Sequence, residues 1–318
     1  IIMKHYKEPM RKVGIELEYA GLDIKKSAQI VQELFSGECS FKNQLVCDIN
    51  NSDLGDFKIE LDAIPLQKLL QKVESHSKEG DVAAKELAQM LSKASATIVP
   101  YEIVAPPVAL NRVKELERLC QRLGEHGAKS TKDHFYYAFG MHINPEVCAM
   151  DPGYILNHIQ SFLLLSPWLV TQHQIDLTRR ITSYIDPFPG AYYRLVLDKT
   201  YQPDTEQLIR DYHQYNPTRD RGLDMTPLFA YLDETLTRSL YGKEEKINKR
   251  PTFHYRLPNC EIGNPNWSIQ GQLDIWFEVE KLAHHNDRLE SLIEKWQSHE
   301  KKMMPLESQW RKVIEKEL

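Results

Sequence analysis

The chain has 318 residues, 42% hydrophobic and 27% charged, a globular composition that excludes a disordered polymer and suffices for one large domain or two small ones. Its 40 Lys and Arg stand against 45 Asp and Glu, and the net charge of -5 supplies no basic field for gathering nucleic acid. Five cysteines without a C-x-x-C pair argue against a disulfide framework or a zinc knuckle and fit a reducing compartment.

Ile1 to Met10 carries Lys4, Lys7 and Glu8 and lacks the apolar core of a signal peptide, so a cytoplasmic location is expected. Val13, Ile15, Leu17 and Tyr19 alternate with Gly14, Glu16 and Glu18, the period of a half-buried strand, which places the two glutamates on one face. A helix is predicted over Asp23 to Phe35, then strands over Phe41 to Ile49 and Asp56 to Asp62, and a long helix from Pro65 to about Lys93. Thr97 to Val104 reads as a strand ending at Pro106-Pro107, and Val108 to His126 has helical spacing with Gly127 as its stop.

Phe135 to Ile143 is the next predicted strand. A helix follows from Pro152 to about Arg180; its apolar part, Tyr154 to Val170, is broken by Asn157, His158, Gln160, Ser161 and Pro167, so no membrane partner is expected. Further helices run through Leu240, Thr252 to Leu257 forms the last predicted strand, and the chain is helical from Gln270 onward with a break near Pro305. There is no repeat and no linker rich in Gly or Ser. Strands and helices mix without a βαβ rhythm, which predicts an α+β fold: a largely antiparallel sheet with helices packed on one face.

The polar faces of these strands point to chemistry. The first carries Glu16 and Glu18, the third Lys58, Glu60 and Asp62, the fourth Glu102, and later strands place His142, His254 and Arg256 between apolar residues. Any solvated sheet face alternates in this way. A bias to acids over five strands goes further, because about five neighbouring carboxylates repel one another unless divalent cations neutralise them. Oxygen ligands with an imidazole suit Mg2+ or Mn2+, and a nearby arginine and lysine could hold phosphate oxygens.

Against this background the motifs resemble a known family. Gly14-Ile15-Glu16-Leu17-Glu18 resembles the metal-binding glutamate pair of the glutamine synthetase and glutamate–cysteine ligase superfamily. Tyr101-Glu102-Ile103-Val104-Ala105-Pro106-Pro107 is similar to the strand of its amidoligase branch whose glutamate is a ligand. Phe139-Gly140-Met141-His142-Ile143-Asn144 resembles the strand bearing the superfamily's histidine, with Asn144 where a second histidine is usual. Tyr215 to Phe229 is similar to a long block of amidoligases, and Phe253-His254-Tyr255-Arg256-Leu257-Pro258, followed by Asn264-Pro265-Asn266-Trp267, is similar to the last active-site strand and Asn-Pro turn of glutamine synthetase. In glutamine synthetase a glutamate stands two residues before the arginine. Here that residue is His254, so either a nitrogen ligand replaces it or one cation site is weakened or lost.

The resemblance implies a glutamine-synthetase-like catalytic domain over residues 1–283, followed by a helical extension over 284–318. It implies an ATP- and Mg2+-dependent carboxylate–amine ligase (Mn2+ being the alternative ion) acting through an acyl phosphate on small-molecule or peptide carboxylates and amines. The implied metal ligands are Glu16, Glu18, Glu60, Glu102, His142 and His254, with Asp62 the alternative to Glu60. Arg256 and Arg219 are the implied catalytic residues, and Lys58, Arg256, Arg194 and Arg221 the nucleotide-binding ones. Tyr192, Tyr193 and Tyr201 could line the pocket. Val279, Leu282, Leu289, Ile293 and Trp296 form an apolar helical stripe that could serve a homo-oligomer or pack on its own domain. The competing readings are a guanidino kinase, for which no cysteine loop is seen, a metal-dependent hydrolase, and an inert binding or assembly relative.

Overall fold

The computed structural model describes residues 10–43, 45–61, 100–130, 139–175, 185–242, 245, 247–301 and 307–318. Within them the fold is α+β. Nine strands make one open sheet: β1 (Lys12–Tyr19), β2 (Glu38–Asn43), β3 (Val46–Ser52), β4 (Gly55–Leu61), β5 (Tyr101–Val104), β6 (Val108–Ala109), β7 (Met141–Pro145), β8 (Leu223–Asp224) and β9 (His254–Tyr255). They lie in the order β2-β3-β4-β5-β1-β7-β9-β8, with β6 against the start of β1. The ladders between them are antiparallel.

Strand alternation gives the sheet two unlike faces. Ile15, Leu17, Phe57, Ile59, Ile103, Met141, Ile143 and Tyr255 share one of them, each at most 1% exposed. Helices cover it. In α1 (Ile24–Phe35) the N-cap Asp23 accepts from the Lys26 N–H at 2.8 Å, and Ile24, Ser27, Ala28, Val31 and Phe35 fall on the buried stripe. That stripe docks through Phe35, whose ring stacks on Phe57 at 5.5 Å, and through Ser27, whose Oγ accepts from Tyr19 Oη at 2.7 Å. Beside α2 (Val113–Glu125), the long α3 (Pro152–Gln172) and α8 (Ile269–Ala283) form the centre of the helical layer. Trp276 of α8 is fully buried between the rings of Phe253 and Tyr255, at 5.6 and 5.0 Å; burying a side chain of this size stabilises the fold by roughly 2–3 kcal/mol.

One ion pair ties the layers together. Arg11, just ahead of β1, donates to both carboxylate oxygens of Glu280 on α8, at 2.8 and 2.5 Å, while Trp276 Nε1 donates to the same carboxylate at 2.6 Å. Both charges are almost wholly buried. The helices α4 (Gly190–Val196), α5 (Thr205–Tyr215), α6 (Thr226–Leu232) and α7 (Glu234–Tyr241) lead into and out of β8. The C-terminal helices α9 (Asn286–Glu300) and α10 (Glu307–Glu317) pack on α3, where Trp310 Nε1 donates to the Leu164 carbonyl at 2.9 Å. Val279, Leu282, Leu289 and Ile293 are buried within the chain, and the Trp296 ring stacks on Tyr193 at 5.9 Å. The apolar stripe is thus spent on the protein's own helical layer.

The elements differ from the sequence expectation at several points. Phe41 to Ile49 is not one strand: the Asn43 side chain accepts from the Leu45 N–H at 2.7 Å, which turns the chain back and makes a hairpin of β2 and β3. Val108 and Ala109 pair with β1 before the helix starts at Val113, because two residues are too few to tell the period of a strand from that of a helix. The C-terminal helices break at His284-His285 as well. The two-residue strand β8 was not predicted, being too short to show a period. The predicted helix from Pro65 to Lys93, the first residues of the strands at Thr97 and Phe135, Asp62 and Pro305 lie outside the described residues. No helix among the described residues is long and apolar enough to cross a membrane.

Candidate active site

The second face of the sheet carries the polar residues, and register decides which of them meet. Glu102 on β5 lies opposite Glu18 on β1 and, on its other side, opposite Glu60 on β4. Glu16 lies opposite His142 on β7. Ile143 pairs with Tyr255, so His254 and Arg256, one residue to either side of Tyr255, share this face, and Asp224 on β8 lies opposite His254. Residues far apart in the chain therefore form one contiguous patch from β4 to β8.

Glu16 is its centre. Its Oε2 lies 2.7 Å from His142 Nδ1 and its Oε1 accepts from Asn144 Nδ2 at 2.8 Å. A carboxylate only accepts, so His142 donates through Nδ1, and its Nε2 lies on the far side of the ring. Burial by itself would raise the Glu16 carboxyl; the hydrogen bond from His142, with the neighbouring His254 and the Arg256 guanidinium, outweighs it and holds the group well below the usual range. Glu18 Oε2 accepts from the Gly140 N–H at 2.7 Å. Glu60 pairs with Lys58 on its own strand at 2.6 Å.

One ligand atom each from Glu16, Glu102 and His142 lie within 4.8 Å of one another. Two carboxylates and an imidazole at this spacing fit a hard divalent cation. Asn144 fits the same reading: its amide points at Glu16, and its Oδ1 is buried without a hydrogen-bond partner among the described residues. Burial lowers the His254 imidazole to about 4, against the opposing pull of Glu16 and Asp224, so the ring is neutral at pH 7 with nitrogen lone-pair capacity.

The cationic side of the patch is organised by Asp224, which is 0% exposed. Its Oδ2 accepts from Arg219 Nε and Nη2 at 3.0 and 2.9 Å and from Arg256 Nη2 at 2.7 Å, and its Oδ1 accepts from the Thr226 N–H at 3.0 Å. Burial pushes this carboxyl up, but Arg256, Arg219 and His254 more than offset that and bring it down to about 2. One carboxylate thus holds two guanidiniums, which leaves a net positive charge beside Glu16.

The structure therefore brings Glu16, Glu18, Glu60, Glu102, His142, His254, Arg256, Arg219 and Lys58 to one face. It separates two other predicted nucleotide-binding residues from it. Arg194 is on α4 and pairs with Glu300 of α9 at 2.8 Å. Arg221 is buried, donates to Asn216 Oδ1 at 2.8 Å and lies over the Phe188 ring at 5.6 Å, so it holds a loop together. Tyr192 packs among Phe188, Tyr212 and Tyr215, and Tyr201 donates to Asp211 Oδ2 at 2.7 Å. Sequence reasoning missed Asp224 and the role of Asn144. The only signal for Asp224 was an acid between Leu223 and Met225 inside the block from Tyr215 to Phe229.

A cavity of about 520 Å³ lies elsewhere, among α3, α4, α9 and α10, lined by Phe162, Phe188, Trp296 and Trp310. It shares no residue with the cluster of Glu16, Glu102 and His142. A protein-family model described as putative amidoligase enzyme matches residues 9–278. No curated protein and no solved structure matches the chain.

Proposed function

The chain belongs to the putative amidoligase family, and from that premise we propose that it is an ATP- and Mg2+-dependent ligase that joins a carboxylate to an amine through an acyl phosphate. A substrate carboxylate oxygen attacks the γ-phosphorus of ATP and ADP leaves; the amine nitrogen then attacks the acyl carbon, phosphate departs, and the nitrogen loses a proton as the amide forms. The one observation that carries this reading is the juxtaposition of Glu16, Glu102 and His142 with the Arg219–Asp224–Arg256 cluster on a single sheet face.

Phosphoryl transfer needs little covalent chemistry from a protein; it needs alignment and neutralisation of charge spread over the phosphoryl oxygens. Glu16, Glu102 and His142, with His254 beside them, would hold magnesium, whose chemistry is to neutralise and polarise phosphate oxygens. Arg256 and Arg219 have donors fixed by Asp224 and would brace the transferred group, since a guanidinium whose direction is set in advance loses little entropy on binding. Glu18, which accepts from the Gly140 N–H, and Glu60 lie opposite Glu102 in the sheet and would shape the outer coordination of the metal. Lys58 is half exposed at the end of the patch and is in reach of Glu60.

The test is a phosphate-release screen with ATP and Mg2+ over pooled amino acids, amines and peptides, with products weighed by mass spectrometry. A ligase gives phosphate release that depends on both an acid and an amine, and a product lighter by one water than their sum. Glu16→Gln should abolish both signals. Phosphate release that proceeds without any amine, or equal behaviour of wild type and Glu16→Gln in every pool, overturns the ligase reading.

A further inference from the structure

At the far edge of the sheet two cysteines meet that the proposed chemistry does not use. We propose that Cys39 and Cys47 are a dithiol–disulfide pair, a reversible two-electron oxidation site in the β2–β3 hairpin. Their sulfurs are 2.8 Å apart. An S–S bond is about 2.0 Å long, so closure asks for a further approach of about 0.8 Å. The register explains the meeting: Cys39 lies opposite Ile49 and Cys47 opposite Phe41, so the two cysteines are diagonal neighbours on the helix-facing side. Diagonal positions on paired strands are commonly about 7–8 Å apart, too far for a bridge. Here the ladder shifts register between Phe41 and Asn43, directly beside the pair. Such irregularities increase local strand twist.

The two thiols are unequal in a way that orders the chemistry. Among the described residues β2 ends the sheet, and Cys39 on it is half buried, so a small reagent can reach it. Cys47 is fully buried, and its thiol is pushed up to about 12 by burial and by the contact with Cys39. With glutathione disulfide as the oxidant, the Cys39 thiolate attacks one glutathione sulfur, forms a mixed disulfide and releases one glutathione. The Cys47 sulfur then attacks Cys39 Sγ, the Cys39–glutathione bond breaks, and the second glutathione leaves with the Cys47 proton. In sum two protein thiols and one glutathione disulfide give one protein disulfide and two glutathiones. The folded hairpin keeps the second sulfur beside the first, which favours the intramolecular step over retention of glutathione.

Oxidation would bolt the edge strand to β3, whose Val46 and Asp48 lie opposite Glu60 and Lys58 of the candidate site. The pair differs from a disulfide framework: it staples one hairpin that is already folded, and a reducing compartment keeps it open.

Trypsin separates the two sulfurs cleanly, because Cys39 falls in the peptide Ser27 to Lys42 and Cys47 in Asn43 to Lys58, each with a single cysteine. The whole chain is fully reduced, equilibrated in glutathione buffers of increasing disulfide content, quenched with N-ethylmaleimide and digested. The expected result is a linked Ser27–Lys42/Asn43–Lys58 species, two hydrogens lighter than the reduced pair, that returns to two thiols with dithiothreitol. It should be absent from Cys39→Ser and retained in Cys148→Ser. Both peptides carrying maleimide in the most oxidising buffer, or glutathione persisting on Cys39 with Cys47 alkylated, overturns the proposal.

Discussion

Replacing Asp224 by Asn tests the arrangement of the candidate site most directly. The change keeps size and one acceptor oxygen but removes the charge that holds both Arg219 and Arg256 through hydrogen bonds of 2.7–3.0 Å. The two guanidiniums bring the carboxyl down to about 2 from an ordinary value of 3.8, and it is fully buried, away from solvent screening. The difference corresponds to roughly 2–3 kcal/mol of stabilisation by the ionised form. A folded-state pKa below the unfolded one means the stabilisation is complete above about 3.8 and is lost as pH falls through about 2. Weakening the hold on two partly buried guanidiniums raises the total loss toward roughly 3–5 kcal/mol.

Urea unfolding measures it. At pH 7 the midpoint of Asp224→Asn should fall by on the order of 1 M, given a slope near the upper end of about 1–3 kcal/mol/M for a chain of this size. The gap between variant and wild type should narrow below pH 4 as the wild-type carboxyl takes up its proton. In calorimetry with ATP and Mg2+, the variant should bind at least roughly tenfold more weakly, because Arg256 and Arg219 lose their common anchor. An unchanged midpoint at pH 7, or a gap that stays constant from pH 7 to pH 2, refutes the reasoning.

Glu280→Gln should destabilise the fold by roughly 3–5 kcal/mol in thermal melts, since it leaves the Arg11 guanidinium buried without its counter-charge, whereas Arg11→Met combined with Glu280→Leu should recover much of that loss. Gly21→Ala should lower the melting temperature by several degrees: its φ is +86°, and a Cβ there would lie 2.6 Å from the Gly127 carbonyl, a strain of at least about 1–2 kcal/mol. Glu16→Gln should weaken Mn2+ binding, read by electron paramagnetic resonance without any substrate, by at least roughly tenfold, and equal binding by both proteins would place the cation elsewhere. Mg2+ should raise the melting temperature of the wild type and leave that of Glu16→Gln unmoved.

Much of the fold was legible from local pattern. The period of two in Val13 to Tyr19 assigns Glu16 and Glu18 to one face whatever the neighbours are, because strand geometry alone sets it. In the same way Asp23 marks the start of α1 and the flanking apolar residues orient Glu102 and His142. Asn43 also carried a local turn signal, yet the continuous β-prone run from Phe41 to Ile49 masked it.

What the sequence by itself determined was therefore the chemistry of each strand: which side chains are buried, which are polar, and which acids share a face, all consequences of short-range backbone periodicity. Only the tertiary structure decided who meets whom. Glu18 faces Glu102, Glu16 faces His142, and Asp224 comes beside His254 through ladders whose partners are tens to over a hundred residues apart. It also parted Arg256 and Arg219 from Arg194 and Arg221, four arginines that look alike in the chain, because long-range pairing register and helix docking leave no mark in the local sequence.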